Sequence, residues 1–288
     1  MTASTIRRPP RRSRAAKRKL TSVGLLLAVI CVWAFYLFPM VWLLMMSVKN
    51  PVDIFSKIPL FVFTPTLEHY RQQITDERFL HALRNSLVVT LLAAAISMVL
   101  GSLAAYSLAR FRLPVTTWLG IALLLARMIP PIVFVVPLFL LYNALNMRNS
   151  LPGLALVYTA FNVPFVVWLM RSFFEEVPVE LEEAVLIDGG SRARAFWHVT
   201  MPLAAPGLAA TAVFCVIAAW GEFLFALILT GPDTTTLPIY LASFLTDRTV
   251  EWGGVMSTGV LVILPLVLFG MLVQRHLIKG LTLGAMKG

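Results

Sequence analysis

Glu222 and Arg127 are ionisable residues set inside long apolar runs, Glu222 within Trp220-Gly221-Glu222 and Arg127 just before Pro130-Pro131. A charge in hydrocarbon is costly, so each must face a bundle interior or a wet cavity. Two chemistries are open to them. They could line a polar pathway, bonding solute hydroxyls or gating a pore, or they could hold helices together, as a mutual ion pair for example. Asn162 and Trp168 raise the same choice: an amide and a ring for a sugar face, or helix packing. Covalent chemistry finds no support. His69, His81, His198 and His276 are scattered and form no metal set. Cys31 and Cys215 sit in apolar runs without metal-ligand spacing. No Gly-x-x-x-x-Gly-Lys-Ser/Thr occurs, so the chain has no phosphate-binding loop for ATP. With no nucleophile elbow or Asp-rich loop either, the chain itself is not expected to be an enzyme.

A second set of residues carries mechanics instead. Pro178 suits the start of a helix, because its fixed φ fits and its missing N–H costs nothing there. Glu180, Glu182 and Glu183 follow in the opening turns, where carboxylates favour the positive helix end. Leu181, Ala184 and Val185 fall at i, i+3 and i+4 and give an apolar stripe. Gly189-Gly190 ends the helix, since glycine takes the left-handed conformation without a Cβ penalty. Ser191 can cap a second short helix through Arg192, Arg194, Phe196 and Val199, and Pro202 opens the next apolar run. A short helix, a glycine corner and a second helix leading into a membrane span make a surface for docking another protein.

These elements are held by membrane-spanning helices. Of 288 residues, 59% are hydrophobic and only 13% charged, about half the charge of a soluble domain. Apolar runs near 20 residues or longer predict an all-α integral membrane protein with six spans. They are placed at 20–48, 85–108, 116–142, 152–173, 203–230 and 258–273. Pro39 kinks the first, and Pro130, Pro131 and Pro137 bend or break the third. Gly101-Ser102-Leu103-Ala104-Ala105 in the second permits close helix contact. The organisation is therefore a basic tail (1–19), read as a disordered orientation segment, and a six-span domain (20–288). That domain carries the loop 175–202, outer segments 49–84, 143–151 and 231–257, and a C-terminal tail (274–288).

The net charge is +10, and its distribution orients the chain. Eight bases precede Leu20, and the side bearing both termini and the loop 175–202 carries 16 Lys and Arg against 7 opposite. That bias predicts both termini and the loop in the cytoplasm, with the tail against anionic lipid. No aromatic residues interleave with the tail's bases, which argues against nucleic-acid binding. The first apolar run is too long for a signal peptide, and no A-x-A site follows it.

The loop 175–202 resembles the EAA loop of permease subunits in ATP-driven (ABC) importers. That pattern is Glu-Ala-Ala, three residues, Gly, nine residues, Ile, one residue, Leu-Pro. Here it reads Glu183-Ala184-Val185, Gly189, Val199 and Met201-Pro202, with the spacing kept and the three departures apolar. Within that family the chain is similar to the carbohydrate branch, of the maltose-type second permease. The residues are Asn85-Ser86-Leu87, Ala104-Ala105-Tyr106-Ser107-Leu108-Ala109-Arg110, Ile187-Asp188-Gly189-Gly190 and the ending from Gly280 to Gly288. The resemblance implies a type I importer fold in a bacterial inner membrane. Glu183, Ala184, Val185, Asp188, Gly189 and Pro202 would couple to a separate ATPase dimer, which binds ATP and Mg and which the C-terminal tail reaches. It further implies a second homologous permease, an external solute-binding protein touched by 231–257, and a sugar or sugar-like solute. The alternative is a self-contained secondary transporter or channel with Arg127 and Glu222 as coupling charges, which needs no docking loop.

Overall fold

The computed structural model describes residues 11–56, 61–111, 114–245 and 250–285. Residues 1–10 of the basic tail, Lys57, Arg112, Arg248 and the last three residues of the C-terminal tail lie outside the described residues. The helices are α1 (Arg11–Ser47), α2 (Pro51–Ile54), α3 (Glu68–Thr75), α4 (Glu77–Arg110), α5 (Pro114–Met128), α6 (Val135–Ala144) and α7 (Leu151–Glu175). They continue with α8 (Val179–Ile187), α9 (Arg192–Ala195), α10 (Met201–Leu203), α11 (Ala205–Trp220), α12 (Leu224–Leu229), α13 (Leu237–Ala242) and α14 (Trp252–Ala285). Among the described residues the β structure is one antiparallel bridge, Leu245 to Val250.

Four stretches are individually long and apolar enough to cross a membrane: Gly24–Ser47, Glu77–Arg110, Leu151–Glu175 and Trp252–Val273. Two bent helix pairs pass the same test of length and composition together, and the total is six if each pair is one span. Trp118–Met128 meets Pro131–Ala144 at 92°, and Arg192–Leu203 meets Ala205–Trp220 at 76°. The first bend has a local cause: a residue before proline is pushed out of the α region, and Pro130 precedes Pro131 with ψ 133.

Three boundaries differ from expectation. Arg11–Lys19 is not a disordered segment but the first turns of α1. Arg, Lys and Ala are good helix formers, and adding turns to an existing helix needs no new nucleation. At the other end α14 runs on from Gln274 to Ala285, where a tail was expected. The fifth apolar run, 203–230, is not one helix. α11 has 16 residues, about 24 Å long and short of the ~30 Å hydrocarbon core. The chain breaks at Gly221–Phe223 and α12 follows.

The core is the seam between α4 and α7. Gly101 is required there, because a Cβ would lie 2.5 Å from Val166 Cγ1. Around it Ala105, Val166, Met170 and Phe174 are buried. At the far end Val89 and Ala93 pack with Leu154, Tyr158, Ala219 and Phe225.

Asn85 and Ser86 hold the loop before α13. Asn85 Nδ2 donates to the carbonyls of Asp233 and Thr235, both at 3.0 Å, and Ser86 Oγ accepts from the Leu237 amide at 2.7 Å. Asn85 is buried. Asn85→Ala removes the donor of two loop carbonyls, a loss of about 1–3 kcal/mol. Amide hydrogen exchange should then rise roughly tenfold across 233–240 while the α4–α7 seam keeps its protection. Unchanged exchange there would show that the loop does not depend on this side chain.

Candidate coupling loop and membrane cleft

Between α7 and α11 the chain folds as a short helix, a corner and a second helical segment. The N–H of Gly189 donates to Leu186 O at 3.1 Å and that of Gly190 to Val185 O at 2.8 Å. This is a Schellman closure, which needs a left-handed residue just past the helix end. Gly189 supplies it at φ 79. Ser191 Oγ then accepts from the Arg194 amide at 3.2 Å and caps α9. A π-helical turn, Phe196–Thr200, and α10 complete the segment.

α8 buries one of its three acids and leaves large apolar residues exposed. Its buried residue is Glu182, 5% exposed, whereas Ile187 is 85% exposed and Val179 and Leu181 are also open. Glu183, Ala184, Asp188, Gly189 and Pro202 are exposed too, and Val185 is partly buried. Trp197 and Leu203 extend the apolar surface. Beside it Phe173, Val177, Pro178, Leu181, Leu203 and Pro206 line a groove of about 250 Å³.

Glu182 joins three segments. Its Oε1 accepts from Arg110 Nε at 2.8 Å and from Thr200 Oγ1 at 2.6 Å, and its Oε2 accepts from Tyr106 OH at 2.7 Å. Arg110 Nη2 also donates to Val177 O at 2.9 Å, between α7 and α8. Tyr106, Phe174 and Phe196 stack around the site, the Tyr106–Phe196 centroids 4.6 Å apart. Burial pushes the Glu182 carboxyl up, but the hydrogen bonds from Thr200, Tyr106 and Arg110 outweigh it and hold the carboxyl below its ordinary range. By sequence Glu182 is an acid at a helix start and Arg110 ends the Ala104–Arg110 stretch, with nothing to join the two. The available signal was Tyr106 and Arg110 at i, i+4 on one face.

Within the bundle, Arg127, Asn162 and Glu222 line one open cleft of about 520 Å³, together with Phe134, Tyr158 and Phe161. Arg127 and Glu222 make no ion pair. The Arg127 guanidinium lies 4.7 Å over the Phe165 ring. Both Glu222 oxygens accept from the amides of Phe225 and Ala226, at 3.0–3.2 Å. The carboxylate therefore caps α12 and stabilises the break in the fifth run. Asn162 Nδ2 reaches Cys215 O at 3.5 Å. Trp168 is elsewhere. Six residues of helix turn it about 120° away from Asn162, into a groove of about 320 Å³ with Arg171 and Glu175.

The family described as the binding-protein-dependent transport system inner membrane component matches residues 97–283, which span both the coupling loop and the cleft. The chain belongs to that family. It is 34% identical over 283 residues to the trehalose/maltose transport system permease protein MalG of Thermococcus litoralis, covering 96% of this chain and 99% of that one. It is 36% identical over 255 residues to the trehalose transport system permease protein SugB of Mycobacterium tuberculosis, covering 88% and 93% respectively. The fold matches a crystal structure of a bacterial ABC transporter involved in the import of the acidic polysaccharide alginate. The TM-score is 0.76, with 94% of this chain and 99% of that chain covered at 22% identity. Both of these sequence relatives are named as permease proteins of sugar transport systems.

Proposed function

We propose that this chain forms half of the translocation pathway of an ATP-driven importer for a sugar or sugar-like solute. A second homologous permease supplies the other half. A separate ATPase dimer holds ATP and Mg, and an external solute-binding protein delivers the solute. The chain lies in a bacterial inner membrane with both termini and the loop 175–202 in the cytoplasm, as the Lys and Arg bias favours.

The observation that carries this reading is the exposed apolar surface of α8, which buries Glu182 and offers Val179, Leu181, Ala184 and Ile187 to a partner. Glu183, Asp188 and Gly189 border that face, and Pro202 closes the segment. When nucleotide closes the ATPase dimer, α8 moves with it and the spans switch access. The cleft at Arg127, Asn162 and Glu222 lines this subunit's side of the pathway, and Trp168 a second groove. The carbohydrate class follows from the solutes named for the relatives. A self-contained carrier would not require an exposed apolar helix of this kind, and its candidate coupling acid, Glu222, is engaged as a helix cap.

The test is uptake by proteoliposomes holding the complete complex and its binding protein, with labelled trehalose, maltose and an amino acid as solutes. ATP-dependent uptake of a sugar that disappears without the ATPase supports the reading. Uptake driven by an ion gradient without ATPase or binding protein overturns it.

A further inference from the structure

We propose that Glu182 is the joint through which movement of α8 reaches the membrane-spanning helices. The proposal rests on the coupling role given above to the loop, and it assigns a positioning residue on the side of α8 away from the partner. Residues that face the ATPase can only receive force. Something must pass that force to the bundle, and the contacts of α8 with the bundle are few in kind. Its one buried side chain is Glu182.

That side chain bonds three residues at once, two on α4 and one on the π-helical turn. Tyr106 and Arg110 lie on the last turns of α4, whose small-residue stretch is packed against α7. Thr200 lies on the π-helical turn that leads through α10 to the bend before α11. Arg110 in turn holds Val177 O, between α7 and α8. One carboxylate thus ties the end of α4 to the segment entering α11, and its partner Arg110 carries the tie on to Val177, just past the end of α7. The side chains of Arg110 and Glu182 are 6% and 7% exposed, so the pair is out of reach of a docked partner. Charge-assisted bonds of 2.6–2.8 Å are directional and stiff, unlike the apolar contact around them.

The experiment uses the complete complex in proteoliposomes and reads solute transported per ATP hydrolysed, with the sugar that the wild type takes up. Glu182→Gln keeps the shape and removes the charge. Its transport per ATP should fall at least tenfold, while the ATPase still co-purifies with the permease. Tyr106→Phe and Thr200→Val each delete one hydrogen bond and keep the packing. Each should lower the ratio two- to fivefold, so the proposal stays testable if Glu182→Gln fails to assemble. Wild-type ratios in Tyr106→Phe and Thr200→Val, or in Glu182→Gln, would overturn the joint. A purely structural role would lower assembly and ATP hydrolysis in step with transport, leaving the ratio unchanged, and that outcome also overturns it. Failure of the importer reading is separate: the wild type itself would then show no ATP-driven uptake.

Discussion

Gly189→Pro should abolish ATP-driven uptake while leaving the protein in the membrane. Gly189 sits at φ 79, and proline is locked near −65°. The substitution also removes the N–H that bonds Leu186 O. The corner cannot close, and the loss is about 3 kcal/mol or more at that site. The damage is local, because a Cβ at Gly189 meets nothing within 4 Å and the residue is exposed. The spans insert on their own apolar length, so membrane abundance should hold. What is lost is the angle between α8 and the segment that enters α11. Gly189→Asn is the control, since asparagine tolerates the left-handed region, and it should keep most of the uptake. Equal uptake by the proline variant and the wild type would remove the corner from the coupling path.

Arg110→Met should cost the folded protein on the order of 3–5 kcal/mol, because it leaves the buried Glu182 carboxylate without its cation. Among the described residues Arg110 is the one ion-pair partner of Glu182. Thermal unfolding of the purified permease should show a lowered midpoint. Much of the loss should return in Arg110→Met/Glu182→Leu, where no charge is buried, because the two sites are coupled. The sign with pH follows from Glu182. Its carboxyl is held below the ordinary value of 4.5, so the pair stabilises fully above that value. The contribution is lost as pH falls from 4.5 through the depressed folded value. The gap between wild type and Arg110→Met should therefore be widest at neutral pH and narrow in acid. A gap that does not change between pH 7 and pH 4 would show that the charge on Glu182 is not what Arg110 serves.

Much of the fold was legible because its signals are local. Apolar runs of sufficient length mark spans wherever they occur. Pro130-Pro131 marks a bend because proline restricts its own backbone and its neighbour's. The corner at Gly189-Gly190 and the cap at Ser191 are set by residues within a few positions of one another, so spacing alone located them. Hydropathy could not see the break at Gly221–Phe223. Phe223 and Leu224 are as apolar as a continuous helix requires, and the break persists because Glu222 folds back onto the amides of Phe225 and Ala226.

The amino-acid order by itself determined a helical chain with six long apolar runs and a glycine-cornered loop before the fifth, since each of those features depends on near neighbours. Which of two adjacent acids turns inward was decided by tertiary structure. Glu182 and Glu183 have the same chemistry, and only the arrival of Tyr106 and Arg110, more than 70 positions earlier, makes one a buried joint and leaves the other facing outward. The cleft was decided in the same way. Arg127, Asn162 and Glu222 belong to three separate parts of the chain, and no periodicity within any one of them specifies that they meet.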